Sequence, residues 1–511
     1  MEHQYLLGID VGTSSIKVAL VNVNGILVNI ERKEYSVISP KEGWAELPID
    51  TLWNHFLQCL EKLIAKSQID AKDIKAIGVS CLCPGLMPLG EKGEALLNPI
   101  IFMDKRSVNE VEIIKGKISE EELFKISGNK LMAGACSLTS MLWIKRNKPE
   151  IYKKTKFFGH LNTYFVHKLT GNFGIDYTNA SYTGLFETSG GYKWARDIAE
   201  IIGIDAEKLP PVIPSDAAAG SLNSSQLIDL GLLQGIPVAM GGADTACSAL
   251  AVGVVEHNQV FESVGTTNVI TICSERPVFD IRFINRCHVV KDRWLYHGAL
   301  SSTGASLKWF RDEFCQDLVK KEEETGVNAY QAMDELAQHA SPGANGLIFL
   351  PYMAGERSPV WDPDAKGVFY GLSLQTKKND MIRAILEGCG FGLRQLIEMA
   401  EGITGEKIDA FVAIGGGAKS KVWGQIKADI TGKIIRILDI NDAAVIGATL
   451  LAGIAAGIYI DAGDAEKKVN KRMHMQFCPQ LNNKTLYQAK FKIYEALYPR
   501  LKDLFKQPQG M

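Results

Sequence analysis

The stretch YLLGIDVGTSSIKVAL, residues 5 to 20, joins two apolar runs through Asp10, Gly12, Thr13, Ser14 and Ser15. A plain hairpin needs only two turn residues. Glycine lets backbone approach an anion closely, the turn N–H groups point into the same space, and the hydroxyls of Thr13 and Ser14 add donors, so the chemistry offered is phosphate binding. The design recurs in QVFESVGTTNVITICSE, residues 259 to 275, with Gly265 and Thr266 at the turn. One Gly-Thr pair is an ordinary structural turn; two, each directly after a strand, suit a polyphosphate held from both sides. Gly415, Gly416 and Gly417 follow the apolar run AFVAI. They suit either a purine or ribose lying on bare backbone or a tight strand-to-helix turn. Asp244 follows IPVAM and a Gly-Gly turn, at the expected start of a helix, where the local field keeps a carboxylate ionised. Such an acid serves as a general base or as a helix cap.

These residues need a frame, and the chain supplies one twice. At 511 residues two or more domains are expected. Besides the paired turns, IKAIGVSCLCPG (74 to 85) and IDAFVAIGGGAKS (408 to 420) each run from an Ile-led strand into a Gly- or Pro-containing loop, in the same order after the hairpin. Helical patterns fill the gaps, as in TLWNHFLQCLEKLIAK (51 to 66) and MIRAILEGCGFGLRQLIEMAEG (381 to 402), with apolar residues near i, i+3, i+4 and i+7. Strands alternating with helices make an α/β fold, and the parallel order of the halves indicates an internal duplication.

Composition narrows the function. A net charge of -2 gives no electrostatic footprint for nucleic acid or an anionic membrane. MEHQYLLGID is not a secretory signal, which points to a cytoplasmic address. The ten cysteines read as reduced thiols, and the Cys81–Cys83 pair has no neighbour to complete a metal site. AAVIGATLLAGIAAGIYI, residues 443 to 460, carries no charge over 18 residues, but its Ala and Gly content between Asp442 and Asp461 suits a helix packed on a sheet better than a membrane span. No G-x-x-x-x-G-K-[ST] and no strand-borne G-x-G-x-x-G is present.

With these pieces placed, the chain resembles the FGGY carbohydrate kinases of the actin-like, ribonuclease H-like ATPase group. GVFYGLSLQTKKNDMIRAILE (367 to 387) matches the family's second signature, and FLPYMAGERSPVWDP (349 to 363) is similar to xylulokinase and gluconokinase members. The resemblance implies two duplicated ribonuclease H-like domains with a nucleotide cleft between them that closes on sugar binding: residues 1–240 on the sugar side, 241–475 on the nucleotide side, and a terminal helix in 476–511 packing back on the first domain. It implies ATP contacts at Gly12, Thr13, Ser14, Lys17, Gly265, Thr266, Gly304, Gly416, Gly417 and Ser420, Mg²⁺ at Asp10 through water, and Asp244 as the base. Sugar contacts map to Cys83, Pro84, Asp104, Asp244 and Thr245, with an Asp104–Arg106 ion pair as the alternative use of that acid. Trp44 and Glu46 fall near the cleft.

Departures from the family pattern bear on the substrate. Ser140 stands where lysine is usual, and the sugar loop reads CLCPG where xylulokinases resemble GQMHG. The activity implied is transfer of the γ-phosphoryl group of ATP to a primary hydroxyl of a small ketose or polyol, a pentulose such as D-xylulose foremost. Gluconate, glycerol or a tetritol are the alternative acceptors, and a non-catalytic actin-like ATPase is the alternative class. A homodimer is common among relatives.

Overall fold

A computed structural model of the chain describes residues 4–506. Its described residues divide into two compact units, the first made of residues 4–257, 273–295 and 442–470 and the second of 258–272, 296–441 and 471–506.

In the first unit β1 (Tyr5–Val11) pairs antiparallel with β2 (Ser15–Asn22), which pairs antiparallel with β3 (Leu27–Glu34). On its other side β1 runs parallel to β4 (Ile74–Cys81), and β4 runs parallel to the strand Pro237–Ala239. The central strands are apolar nearly throughout because both faces are covered, whereas β3 lies at the edge and is largely exposed. The helix Ile49–Ser67 turns Leu52, Trp53, Phe56, Leu60 and Leu63 to the core, the 3.6-residue stripe read from sequence.

The uncharged run near residue 450 becomes the helix Ala443–Ala455, packed on β1 and β4. Gly8 and Gly78 are register partners, and they make this contact possible. A Cβ on Gly8 would stand 2.5 Å from the Val445 carbonyl oxygen, and one on Gly78 only 1.9 Å from that of Ala448. Among the described residues no helix is long and apolar enough to cross a membrane.

The second unit repeats the plan. Its β5 (Val260–Val264) forms an antiparallel hairpin with β6 (Asn268–Ser274), and β5 runs parallel to β7 (Ala410–Ile414), which runs parallel to β8 (Ile434–Leu438). The strand beside β6 is Trp294–Leu300. An antiparallel hairpin followed by parallel strands thus occurs in both sheets, and the segments 74–85 and 408–420 matched by sequence supply corresponding strands, β4 and β7.

Compactness groups residues 241–257, 273–295 and 442–470 with the first unit. Residues 442–470 join the first unit, because the helix Ala443–Ala455 packs on β1 and β4 and the helix Asp244–Val252. The terminal helix Lys484–Phe505 is grouped with the second unit. Tyr487 of that helix bonds Glu387 (2.8 Å) and receives a bond from Arg383 (3.1 Å), while Tyr494 and Phe491 pack on Phe391, all on or against the helix Lys378–Thr404.

Candidate active site

Parallel strands gather ligand-binding residues at their carboxyl ends, and the candidates of each unit lie there. In the first unit Asp10 is opposite Ser80 and Val11 opposite Cys81, while Gly242 and Ala243 also align with Ser80 and Cys81. That register brings three chain segments to one sheet edge: Asp10 with its turn, the Cys81–Gly85 loop, and Asp244.

The turn after β1 is closed by Gly12 N–H donating to the Ser15 carbonyl at 3.0 Å, and the Tyr35 hydroxyl donates to the Gly12 carbonyl. Ser14 is exposed and Thr13 half-buried, so their hydroxyls remain accessible. Lys17 is ion-paired to Asp442 at 3.0 Å. Asp10 is buried, and Ser80 Oγ donates to its Oδ1 at 2.9 Å. Burial pushes its carboxyl up to about 7, with Lys17 opposing the shift.

That environment fits a divalent cation, since a buried carboxylate with one hydroxyl donor gains from a further positive charge. Among the described residues no group of three or more His, Cys, Asp or Glu could hold a metal ion unaided. An ion at Asp10 would complete its shell with water and phosphate oxygens, the habit of Mg²⁺.

Asp244 is the first residue of the helix Asp244–Val252, one place inside the cap, which is Ala243. Its Oδ1 accepts from the N–H (2.6 Å) and hydroxyl (3.1 Å) of Thr245. Burial raises its carboxyl above the usual range; Arg286 is the main influence holding it down, followed by Thr245 and Lys17. The peptide before it is fixed from beneath: Ala243 N–H donates to Thr178 Oγ1 at 2.7 Å, and Thr178 in turn donates to the buried Asp176.

In the CLCPG loop Leu82 and Pro84 are buried and Cys83 is the partly exposed member. Cys83 Sγ lies 3.9 Å from His160 Nδ1, which also contacts Asn179 Oδ1 at 3.1 Å, while His160 Nε2 meets Ser137 Oγ at 2.8 Å. Burial lowers His160 to about 4, so the ring is neutral and the thiol beside it stays protonated.

Asp104 is bonded within the protein. Its oxygens accept from Ala45 N–H at 2.6 Å and from the Arg106 backbone and guanidinium at 2.8 to 3.0 Å, and the side chain is fully buried. The ion-pair use of this acid is therefore the one its geometry displays. Arg106 also bonds Glu46 at 2.7 Å and stacks on Trp44, its guanidinium carbon 3.8 Å from the ring centroid. Ser140 is buried in the helix Ser137–Asn147.

In the second unit the hairpin turn Gly265–Thr266 is exposed, and Gly265 N–H donates to the Thr267 carbonyl at 2.9 Å. Gly304, in the first turn of the helix Thr303–Phe314, lies directly against it: a Cβ there would stand 2.2 Å from the Gly265 carbonyl oxygen. Ala305 N–H donates to the Thr266 carbonyl at 3.0 Å. Gly415, at a φ of 96°, and Gly417 press on Val264, while a Cβ on Gly416 would meet open space. Ser420 Oγ caps the helix Lys421–Thr431 by accepting from Trp423 N–H at 3.0 Å. Gly265, Thr266, Gly304 and Gly415–Gly417 thus converge at the carboxyl end of β5, with Ser420 at the end of the glycine loop.

Sequence reasoning missed Arg286, Ser80 and the Asp176–Thr178 pair. Arg286 is the one Lys, Arg, Asp or Glu in the segment FINRCHVV, which contains the strand Ile284–Cys287, and a charge within a buried strand pattern is the signal that could have found it.

The chain matches the FGGY family of carbohydrate kinases in its N-terminal domain over residues 5–251 and in its C-terminal domain over residues 261–456. It belongs to that family and is a sugar kinase with ATP as its co-substrate. It is 31% identical over 505 residues to a xylulose kinase of Bacillus subtilis, with 98% of each chain covered. It is 29% identical over 463 residues to a gluconokinase of the same organism, covering 90% of this chain and 89% of that one. The crystal structure of xylulose kinase from Rhodospirillum rubrum superposes with a TM-score of 0.90 at 25% identity, covering 99% of this chain and 100% of the other.

Proposed function

We propose that this kinase phosphorylates a primary hydroxyl of a small open-chain sugar derivative, with Asp244 as the base and the acceptor held in the first unit near Cys83, Pro84 and Thr245. The observation that carries the reading is the register that sets Asp244 on the same sheet edge as Asp10 and the Cys81–Gly85 loop. As the acceptor oxygen bonds to the γ-phosphorus, the bond from phosphorus to the β,γ-bridging oxygen breaks, ADP leaves, and the hydroxyl proton passes to an Asp244 oxygen. Phosphoryl transfer leaves a protein mainly positioning and charge stabilisation to supply. Thr13 and Ser14, and in the second unit Gly265, Thr266 and Gly304, supply donors and bare backbone for the phosphates. The Gly416–Gly417 backbone and Ser420 serve the nucleoside, and Lys17 adds positive charge near Asp10.

Asp10 is the residue to hold Mg²⁺, which when bound neutralises phosphate charge. A cytoplasmic location suits such a substrate. Relatives named as xylulose kinases support D-xylulose as the first acceptor to test, and the gluconokinase relative supports a sugar acid beside it. The test is ADP release over a panel of ketoses, polyols and sugar acids, with Asp244→Ala alongside. That variant is expected to bind ATP as the parent does and to lose acceptor-dependent turnover; turnover retained at the parental rate refutes Asp244 as the base.

A further inference from the structure

Arg286 is 3% exposed, yet its Nε and Nη1 have no hydrogen-bond partner. Its guanidinium carbon lies 4.1 Å from the Tyr182 ring centroid and the group hydrogen-bonds that side chain, which leaves Nε and Nη1 to donate elsewhere. Its charge is felt by Tyr182, by the partly exposed Cys83 of the CLCPG loop and by Asp244, the proposed base, as well as by His160 and Cys287. We propose that Arg286 binds the non-reacting end of the acceptor and that the preferred acceptor carries a carboxylate there, making it an open-chain polyhydroxy acid. This rests on the kinase reading above and names the substrate class for the same site.

Three features lead there. Arginine has donors and no acceptor, so whatever satisfies Nε and Nη1 must offer oxygen lone pairs. The CLCPG loop offers the acceptor one weakly polar thiol, so discrimination falls to the guanidinium. Buried guanidinium charge is costly unless an anion accompanies it. Asp244 offsets part of that cost only while ionised; burial favours its neutral form and phosphoryl transfer protonates it. Asp176 cannot replace it, because its oxygens already accept from Thr178, Asn179 and Asn162. A carboxylate on the acceptor keeps the charge matched through turnover, whereas a neutral ketose or polyol leaves it uncompensated.

The experiment compares aldonates with ketoses and alditols of equal carbon number, by kcat/KM and by equilibrium binding, in the parent, Arg286→Gln and Arg286→Lys. The parent is expected to favour the acids by roughly 100-fold or more, the scale of a desolvated charge pair. Arg286→Gln collapses that acid-over-neutral ratio towards unity, and Arg286→Lys keeps part of it. Using the ratio removes any uniform loss caused by a change at Asp244. A parent that favours neutral acceptors, or a ratio unchanged in Arg286→Gln, overturns the proposal. Should Arg286→Gln not fold, the parent's own preference decides. Tight aldonate binding without ADP release would refute the kinase mechanism while leaving this binding role standing; binding no better than that of alditols refutes the role itself.

Discussion

Glu356 shows how a buried carboxyl in this chain makes stability depend on pH. It is 4% exposed; its Oε1 accepts from the N–H groups of Ser301 (2.7 Å) and Arg357 (2.8 Å), and its Oε2 has no partner. Burial raises its carboxyl from 4.5 to about 7. The folded protein therefore holds a proton that the unfolded chain releases, so the contribution is full below about 4.5 and lost as pH rises through about 7. Glu356→Gln keeps the acceptor and removes the titration. Relative to the parent it should gain ~1–3 kcal/mol between pH 5 and pH 8 in thermal melts. An equal difference from the parent at both pH values would show that Glu356 does not titrate in this window. At this scale the sequence exposed what its punctuation marked: Asp10 and Asp244 each stand by an apolar run and two residues from a glycine. It did not expose Arg286, whose meaning depends on which distant residues fail to pair with it, or the saturation of Asp104, which depends on Ala45 across a fold contact.

At the scale of elements, glycines set how closely segments approach. A methyl on Gly304 must displace the Gly265 carbonyl, backbone that cannot yield without moving the hairpin. Gly304→Ala should therefore weaken ATP binding by roughly 10-fold or more while acceptor binding stays near the parental value, as calorimetry with each ligand would show. Unchanged ATP affinity would remove the Gly265–Thr266 turn from the nucleotide site. Gly78→Ala acts on folding instead, since its methyl would meet the Ala448 carbonyl at 1.9 Å. We expect a loss of ~1–3 kcal/mol or more by chemical denaturation; a smaller loss would mean that the helix Ala443–Ala455 can lift off its sheet at little cost. Both hairpins and the helices 51–66 and 381–402 were legible because their periodicity is local. The contact of Gly8 and Gly78 with residues near 445 was not, since a glycine inside a strand does not say what lies on it.

Along the chain the segments of the two units alternate, and this has a consequence for folding. Sequence alone suggested a cut near residue 240, because the duplicated halves follow one another in order. Duplication of strands does not oblige every covering helix to stay with its own half, and the helix Ala443–Ala455 lies on β1 and β4. Its buried face, including Val445, Leu450 and Leu451, covers apolar sheet that residues 1–257 would otherwise leave in water. A fragment ending at residue 257 should therefore lack a cooperative thermal transition and bind hydrophobic dyes. The same fragment with residues 442–470 appended through a flexible linker should recover a cooperative transition and shed the dye, because the linker restores the helix at high effective concentration. If the shorter fragment melts as sharply as the longer one, the return segment is an accessory to the first unit, and the boundary near residue 240 describes the folding unit better than the contact pattern does.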